Sequence, residues 1–322
     1  MPPPAARGAA RGRPLSTGDP DVSRVPEDPL AGLGRPVRFR CAVAAEARAD
    51  DLTGTATHVE AFLLVEHHGP WGAAVLRDSR LDADVQTHLT GHRGLKVLLV
   101  RRHDRARRGS AYRVMAAFPR RRVLVATTVS DHRGVLDLDV AAIARGEVPD
   151  WERVADPVYA VCTHGKHDAC CAERGRPVAA VLTGFRPDAT WEVSHVGGDR
   201  FAANVLVLPE GLYYGRVDPV SAPVLADLHE SGRLDLDRLR GRSAVAMSAQ
   251  HAEITLRRHL GDDLLGSVRF VRWDGSTCVL EHDGRRWGVE VTRVAGDPAQ
   301  LTCGAAGPST TSSFSSGTPH PL

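Results

Sequence analysis

The sequence predicts an α/β protein of two lobes, because β-type and helical segments alternate along a chain long enough for two domains. The chain has 322 residues, of which 42% are apolar and 25% are charged, as in an ordinary globular protein. Its 41 basic and 39 acidic residues leave a net charge of +2, which excludes a generally basic nucleic-acid coat. The longest apolar runs are strand-sized and fall short of the roughly 20 residues that a membrane-spanning helix needs.

Both ends of the chain are expected to be disordered tails. Residues 1–36 hold eight prolines and five glycines, and residues 301–322 are rich in Ser, Thr, Gly and Pro. Such segments bury too little apolar surface to offset the entropy lost on ordering. The N-terminal segment also lacks the apolar stretch of a secretory signal, so we expect a cytoplasmic protein with reduced or metal-bound cysteines.

Residues 37–150 are predicted to form the first α/β lobe. Buried strands are indicated at Ala61 to His68 and at Lys96 to Val100, and a strand pair at Tyr112 to Phe118 and Arg121 to Val129. A helical segment, LDVAAIARGEVPDW, follows and ends with glycine and proline stop signals. These signals put the boundary of the lobe near residue 150.

Residues 151–300 are predicted to form the second lobe. A strand at Val158 to Cys162 is followed by a helix from Glu173 to Gly184 and a strand at Thr190 to His195. A hairpin signal, Pro-Glu-Gly, and a helix from Ser221 come next. This order fits a small sandwich of the thioredoxin type with a mixed sheet. The segments RFVRWDG and RRWGVEVTRV are predicted to close the lobe as a strand pair.

The residues that carry chemistry concentrate in this second lobe. Three cysteines and two histidines fall within ten residues: Cys162, His164, His167, Cys170 and Cys171. After one helix and one strand comes the segment from His195 to Asn204, which reads HVGGDRFAAN. Because the carboxyl ends of neighbouring strands meet at one edge of an α/β sheet, we expect the thiols and His195 to lie together. Thiolates and imidazoles together suit an iron-sulfur cluster or zinc.

These segments resemble the sucrase/ferredoxin-like family. The family has a Cys-Ser/Thr-His-Gly-x-x-Asp-x-x-Cys loop, a Trp-Glu-x-Ser-His-Val-Gly-Gly-x-x-Phe-Ala-x-Asn segment and a Leu-Pro-x-Gly-x-x-Tyr-Gly hairpin. In this chain they read CTHGKHDACC, WEVSHVGGDRFAAN and LPEGLYYGRV. The first lobe is also similar to the family at Cys41, at Gly54 to Ala56 and at Leu63 to Gly72, so the resemblance covers roughly residues 37–300.

The resemblance implies that the second lobe is a thioredoxin-like ferredoxin domain, with a 2Fe-2S cluster held by two cysteines and two histidines. The cysteines map to Cys162 and Cys171, and the first histidine maps to His195. The second histidine, four residues later in the family, falls on Asp199 here. The fourth ligand therefore stays open among several groups: Asp199, Cys170, His164 or an exchangeable ligand.

The departure at Asp199 has consequences for such a cluster. Neutral imidazoles in place of thiolates raise the potential of a 2Fe-2S cluster, and a carboxylate restores a negative charge. We therefore expect a lower potential than in a relative with two histidines. We also expect a more labile cluster, since oxygen is a harder ligand than iron-sulfur chemistry favours. An exposed outer nitrogen on His195 would couple the electron to a proton.

Further residues of the two motifs are candidates for supporting the cluster: Lys166, Gly197, Gly198, Arg200 and Asn204. The glycines would let the backbone approach the cluster and donate N–H groups to its sulfurs. The two cations would offset its charge, or are solvated loop side chains. Asn204 would brace the loop or make a local turn hydrogen bond.

The sequence therefore predicts a one-electron carrier rather than a stand-alone enzyme. Its expected partner is a redox protein, either a reductase or an acceptor, and neither nucleic acid nor a membrane is expected to bind. Sucrose cleavage requires two carboxylates that face a glycosidic bond. Nothing in the sequence singles out such a pair, so this activity is not expected.

Other interpretations of the same cysteines stay open. Cys170 and Cys171, near Lys166 and His167, would make low-pKa thiols for peroxide or metal sensing, although the usual C-x-x-C is missing. A structural zinc site is a second alternative, although closed zinc sites usually space their cysteines as C-x(2-4)-C. The cysteines would otherwise be inert buried side chains.

A basic stretch in the first lobe also has two interpretations. Nine arginines lie between Arg101 and Arg122. They form either a binding surface, for nucleic acid or for an acidic redox partner, or a solvated face of a strand and its loop. The solvated face is favoured, since neither interleaved aromatic residues nor a known binding motif accompanies the charges.

Overall fold

A mixed sheet of ten strands runs through most of the chain. The structure, a computed structural model, describes residues 38–322, so the predicted tail of residues 1–36 lies outside the described residues. The strands of this sheet are β1 (Ala61–Glu66), β2 (Leu95–Arg101), β3 (Tyr112–Phe118), β4 (Val123–Val129), β5 (Glu152–Arg153), β6 (Val158–Cys162), β7 (Thr190–Val193), β8 (Val205–Leu208), β9 (Leu212–Tyr214) and β10 (Leu239–Arg242). Their order is β10-β9-β8-β6-β7-β2-β1-β3-β4-β5.

Helices connect these strands and cover the sheet. They are α1 (Cys41–Ala47), α2 (Ala83–His88), α3 (Val140–Ala144), α4 (Ala169–Phe185), α5 (Ser221–Glu230) and α6 (Met247–Leu260). Short 3₁₀ helices span Arg105–Arg107, His132–Asp137 and Asp199–Phe201. Among the helices of residues 38–322, none combines the length and the apolar character needed to cross a bilayer.

A second, antiparallel sheet is built from the C-terminal part of the chain. Its strands are β11 (Val268–Asp274), β12 (Thr277–His282), β13 (Arg285–Ala299), β14 (Ser309–Ser316) and β15 (His320–Pro321). The order is β11-β12-β13-β14, and β15 also pairs with β13. Apolar residues of α6, such as Ala252 and Leu256, pack against Leu280 and Val289 of this sheet.

The centre of the large sheet is buried on both faces. In β1, Phe62 and Leu64 point into one hydrophobic core, while Leu63 and Val65 point into a second core on the opposite face. This alternation is the two-residue period of a strand. The first core extends to Cys171, so the candidate site residues lie against the main core of the protein.

The two halves of the chain share this sheet. β2 pairs antiparallel with β7 through Val100–Val193 and Arg101–Glu192. Two lobes dividing near residue 150 were predicted, whereas the ladder of hydrogen bonds continues across this division. The reason is that β2 and β7 would each be an open edge of a separate lobe, and pairing satisfies their backbone groups. The residues from Phe39 to Leu322 form one compact unit.

The elements predicted after residue 151 follow in the predicted order, namely β6, α4, β7, the β8–β9 hairpin and α5. β6 is parallel to β7 and antiparallel to β8. Helix α4 begins at Ala169 rather than at Glu173, so Cys170 and Cys171 lie in its first turn and not in a loop. Asp168 causes the earlier start, because its side chain caps the helix by accepting a hydrogen bond from the backbone N–H of Cys170.

The prediction of a disordered tail at residues 301–322 is wrong. Ser309–Ser316 forms β14, which pairs with β13 from Val291 to Ala299, and His320–Pro321 pairs with β13 as well. The tail was predicted from side chains that are small and polar and bury little apolar surface. The long β13 offers backbone donors and acceptors to a partner strand, and these bonds do not depend on apolar side chains.

Candidate metal centre

The N-terminal turn of α4 presents two neighbouring thiols in different directions. Successive residues of a helix point about 100° apart, so Cys170 and Cys171 face different surroundings. The thiol of Cys171 lies 3.2 Å from Oδ1 of Asp199, whereas the sulfur of Cys170 lies 3.3 Å from that of Cys303.

The end of β6 places Cys162 beside Cys171. Cys162 is the last residue of the strand, and Gly175 of α4 lies directly over its carbonyl group, where a Cβ atom would collide with the oxygen. A hydrogen bond with the Cys171 thiol lowers the pKa of Cys162, and the same bond raises the pKa of Cys171. The two buried sulfurs therefore share a hydrogen bond in which Cys171 donates and Cys162 accepts.

The loop after β7 brings His195 and Asp199 to the same place. Gly197 and Gly198 have φ angles of 102° and 80°, which side-chain-bearing residues rarely adopt, and they turn the chain back into the 3₁₀ helix that begins at Asp199. Nδ1 of His195 consequently lies 3.0 Å from Oδ1 of Asp199. We call Cys162, Cys171, His195 and Asp199 the loop site.

Arg240 and Asn204 hold the loop in this shape. The buried guanidinium of Arg240 donates from Nη1 to the carbonyl oxygen of Gly197 and to Oδ1 of Asn204, both at 2.8 Å. Nδ2 of Asn204 in turn donates to the carbonyl oxygen of Gly198 at 2.9 Å. A Cβ atom on Gly198 would collide with the Arg240 guanidinium, so glycine is required there for space as well as for conformation.

Asp199 places a buried carboxylate between the imidazoles of His167 and His195 at the loop site. It is 3% exposed, and Oδ2 lies 3.4 Å from Nε2 of His167. Burial alone would raise the pKa of Asp199, but the nearby imidazoles of His167 and His195 outweigh this and hold the pKa well below its usual range. Asp199 reciprocally raises the pKa of His167. The carboxylate is therefore ionised at neutral pH.

The two imidazoles form the outer wall of the loop site. The ring centroids of His167 and His195 are 3.7 Å apart, and their side chains are 33% and 27% exposed. The thiols of Cys162 and Cys171 lie on the buried side. The site thus has a sulfur-rich interior and an imidazole surface that a partner can reach.

A buried lysine from the first half of the chain also reaches the loop. Nζ of Lys96 in β2 donates to the carbonyl oxygen of Val196 at 2.9 Å. Burial lowers the pKa of Lys96 to about 8, and the nearby Cys162 and Asp199 oppose this shift. Lys96 is still mainly charged at neutral pH, and it offsets part of the negative charge of the site.

Other residues of the predicted set lie apart from the loop site. Cys170 faces Cys303 as described above. Arg200 forms an ion pair with Asp50 at 3.2 Å, on the far side of the 3₁₀ helix. Lys166 is exposed and lines a cavity of about 460 Å³, together with Arg101 and other residues. Neither cation has a hydrogen bond to a loop-site thiol among the described residues.

His164 has a different role from a ligand of the loop site. Its Nε2 lies 2.6 Å from the carbonyl oxygen of Gly72, and its ring packs edge-to-face on Trp71. Burial lowers its pKa, so the ring is neutral. These contacts tie the cysteine loop to the first half of the chain.

Sequence reasoning missed three residues at the loop site, namely His167 as its outer wall, Lys96 and Arg240. His167 lies within the cysteine motif, so its position in the sequence was a usable signal. Lys96 and Arg240 come from β2 and β10, and only the tertiary fold brings these strands to the loop.

The donor atoms of the loop site suit a thiophilic metal or an iron-sulfur cluster. Two buried sulfurs stand beside an imidazole and a carboxylate, a mixture of soft and borderline ligands. Nδ1 of His195 is buried and makes no well-aligned hydrogen bond, although Oδ1 of Asp199 lies 3.0 Å away. A group bound here would satisfy this nitrogen.

Comparison with known proteins adds independent information. The sequence pattern of the sucrase/ferredoxin-like family matches residues 52–241, which include the whole loop site. A curated protein from the yeast Meyerozyma guilliermondii, altered inheritance of mitochondria protein 32, is 31% identical over 99 residues. The match covers 27% of this chain and 35% of that protein, so the chain spans about a third of that relative's length. No solved structure matches the chain.

Proposed function

The chain belongs to the sucrase/ferredoxin-like family, and we propose that its loop site holds a 2Fe-2S cluster for one-electron transfer. Cys162 and Cys171 would bind one iron from the buried side, and His195 and Asp199 the other from the exposed side. One observation carries the proposal. The sulfur of Cys171, one of the buried pair, lies 3.2 Å from Oδ1 of Asp199, and this oxygen lies 3.0 Å from Nδ1 of His195.

The fold of the second half of the chain supports the proposal. The strand order β7-β6-β8-β9, with α4 between β6 and β7 and α5 after the hairpin, is the arrangement expected of a thioredoxin-like ferredoxin domain. In this arrangement the loop after β6 and the loop after β7 end at the same edge of the sheet, because the two strands are parallel.

The residues around the site have defined tasks in electron transfer. A bound 2Fe-2S cluster supplies a centre that takes up and releases one electron. Lys96 and Arg240 place positive charge inside the protein and favour the more negative, reduced state. Asp199 places a negative charge directly at the site and opposes reduction, so the potential is set lower than two neutral imidazoles would set it.

His167 positions the carboxylate and holds a proton next to it. Its Nε2 faces Oδ2 of Asp199 at 3.4 Å, and the raised pKa keeps the ring protonated to higher pH than usual. The ring is partly exposed, so this proton exchanges with solvent. A carboxylate ligand held by an outer imidazole is fixed in orientation, as ligands commonly are by their outer partners.

We propose that a redox protein docks over His167 and His195, which form the exposed wall of the site. The arginine stretch is the other candidate docking surface, but several of its arginines form ion pairs or hydrogen bonds within the protein. Arg101 pairs with Glu192 at 2.7 Å, Arg107 pairs with Asp188, and Nη1 of Arg102 donates to backbone carbonyl groups. These contacts favour a structural role for the stretch.

Iron and acid-labile sulfide analysis of the full chain, purified without air, tests the proposal. We expect two irons and two sulfides per chain in the wild-type protein, and a visible spectrum that bleaches with dithionite. Cys171→Ser is expected to lose both, while Cys278→Ser, a change at a buried cysteine of β12 outside the loop site, keeps them. Wild-type protein that is colourless and free of iron would refute the proposal.

A further inference from the structure

A second group of thiols meets on the opposite side of the α4 terminus. Cys41 is the first residue of α1, Cys170 lies in the first turn of α4, and Cys303 lies between β13 and β14. The carboxylate of Asp168, which caps α4, completes the group. We call these four residues the thiol site.

The ligand atoms of the thiol site lie close enough together to bind one tetrahedral metal ion. The sulfur of Cys303 lies 3.3 Å from that of Cys170 and 3.6 Å from that of Cys41. Oδ2 of Asp168 lies 3.4 Å from the Cys41 sulfur, and one ligand atom from each of the four residues lies within 4.8 Å of every other. Zinc–sulfur bonds of about 2.3 Å in a tetrahedron separate the sulfurs by roughly 3.8 Å.

We propose that Cys41, Asp168, Cys170 and Cys303 bind one zinc ion, at a structural site separate from the loop site. Three thiolates and one carboxylate give a closed set of four protein ligands, which is the pattern of structural rather than catalytic zinc. The ion is smaller than any iron-sulfur cluster, and the four ligand atoms surround a space that suits a single ion.

The composition of the thiol site argues against a disulfide. Three thiols cannot pair completely, and sulfur–sulfur separations of 3.3 Å and 3.6 Å are far longer than a covalent bond of about 2.05 Å. A disulfide would also leave the carboxylate of Asp168 without a cation, although this side chain is buried. A divalent ion would neutralise it.

The charged groups around the thiol site also favour a bound cation. The buried carboxylate of Asp168 accepts hydrogen bonds from the backbone N–H groups of Cys170 at 2.8 Å and of Cys303 at 2.6 Å, which brings it into the group of thiols. The nearby guanidinium groups of Arg40 and Arg174 are engaged in ion pairs with Glu173 and Glu46. Asp168 forms no ion pair among residues 38–322, and a bound cation would remove the cost of burying its carboxylate.

Zinc at this position would join three parts of the chain that are distant in sequence. Cys41 and Cys303 are 262 residues apart, and the backbone N–H of Cys303 already donates to Oδ2 of Asp168 at 2.6 Å. The ion would fix the C-terminal segment to the start of α1 and to the start of α4. Because Cys170 and Cys171 are adjacent, it would also fix the helical turn that presents Cys171 to the loop site.

Zinc titration of the reduced full chain tests this inference. The starting protein carries Cys162→Ser and Cys171→Ser, which remove the loop-site thiols and leave the thiol site intact. It is stripped of metal and titrated with Zn²⁺ in competition with a chromophoric chelator. We expect one tightly bound equivalent, and roughly a 100-fold loss of affinity when Cys303→Ser is added.

Two further variants sharpen the comparison. Cys278→Ser, the matched control, is expected to leave the affinity unchanged. Asp168→Asn keeps a helix-capping side chain but removes its charge, and is expected to weaken binding by roughly tenfold. With Co²⁺ as the probe, the thiolate-to-metal charge-transfer absorption is expected to fall by about a third in Cys303→Ser, since one of three thiolates is lost.

The zinc result is independent of the proposed iron-sulfur function, because the starting protein has no loop-site thiols. If circular dichroism shows that this protein does not fold, zinc content is compared in the wild-type chain with Cys303→Ser and with Cys278→Ser. A starting protein that folds but binds no zinc would overturn the inference. Equal zinc binding by the Cys303→Ser and Cys278→Ser proteins would overturn it as well.

Discussion

Asp199 is the residue on which the chemistry of the loop site depends most directly. It touches the Cys171 thiol, faces two imidazoles, and remains ionised although it is buried. The resemblance to the family implies a histidine at this position, so in the proposed cluster a negative ligand takes the place of a neutral one. The shape of the loop is held by Gly197, Gly198 and Arg240.

Asp199→His is therefore expected to raise the midpoint potential of the proposed cluster, on the order of 100 mV, because a neutral imidazole replaces a carboxylate. Redox titration followed by visible absorption measures the shift. Asp283→His is the control, since this turn residue is 83% exposed and its replacement leaves the potential unchanged. A potential that falls, or stays at the wild-type value, in Asp199→His would contradict the assignment of Asp199 as a ligand.

His67 makes the stability of the fold sensitive to acid. Burial lowers its pKa to about 4, with smaller contributions from His132, His68 and Arg101. Below pH 6.5 the unfolded chain binds a proton at this position that the folded chain does not bind. The folded state therefore loses stability as pH falls from about 6.5 towards 4, by about 2 kcal/mol for this group.

Urea unfolding of the wild-type chain and of His67→Gln, measured between pH 4.5 and pH 8, tests this sign. Above pH 7 the difference in free energy of unfolding between the two proteins is expected to be constant, which is the internal control. At lower pH the wild-type chain is expected to lose more stability than the variant. Parallel pH profiles over the whole range would show that His67 does not contribute.

At the scale of elements, the contact between α4 and β6 determines the sulfur pair. The helix carries Cys171 and the strand ends at Cys162, and Gly175 allows the two elements to touch. Asp168 at the N-terminus of α4 serves both sites, because it caps the helix and closes the thiol site. One helix terminus thus presents two thiols to two different centres.

Two glycines of α4 provide a matched pair of substitutions. Gly175→Ala is expected to lower stability by roughly 2 kcal/mol and to reduce iron retention, because the new Cβ collides with the backbone of Cys162. Gly184→Ala, where no atom lies within 4 Å, is expected to raise stability by about 0.5–1 kcal/mol through helix propensity. Thermal unfolding and iron analysis measure both. Equal effects of the two changes would contradict the packing argument.

At the scale of the whole molecule, one sheet and one core connect the two halves. Phe62 and Leu64 of β1 share a hydrophobic core with Ala160 of β6 and Tyr213 of β9. The loop site draws Lys96 from the first half, and His164 contacts Gly72 there. The first half therefore contributes to the site as well as to the fold.

This arrangement predicts that the halves unfold together. Leu64→Ala in β1 is expected to lower the free energy of unfolding by roughly 2–5 kcal/mol, and hydrogen exchange in β6 and β8 is expected to accelerate as much as in β1. Val294→Ala at a 40% exposed position of β13 is the control and leaves both halves unchanged. Faster exchange confined to residues 61–129 would show that the halves are independent.

The parts of the structure that local patterns specify could be predicted from the sequence. Short apolar runs predicted β1 to β4 within two residues at each end, and the loops after β6 and β7 were expected to meet because a single βαβ unit joins these strands. Cys162 and Cys171 lie within this unit, His195 and Asp199 lie on the loop that directly follows it, and the structure brings these four predicted residues together.

The remainder depends on contacts between distant residues, which local patterns do not specify. Nothing near Cys41 or Cys303 indicates that they meet across 262 positions, and the composition around Cys303 indicated a tail. The pairing of β2 with β7 likewise depends on two sheet edges that exist only after each half has folded. Arg240 was missed for the same reason, since its partners lie on a loop far away in the sequence.

We propose a 2Fe-2S cluster bound by two cysteines and one histidine, with Asp199 as the fourth ligand. Pulsed electron paramagnetic resonance of the dithionite-reduced full chain tests it most directly, because it detects nitrogen nuclei bound to the cluster. We predict a rhombic signal with strong coupling to one imidazole nitrogen, which disappears in His195→Cys and persists in His167→Gln. A reduced protein without such a signal, or a signal without strongly coupled nitrogen, would contradict the account.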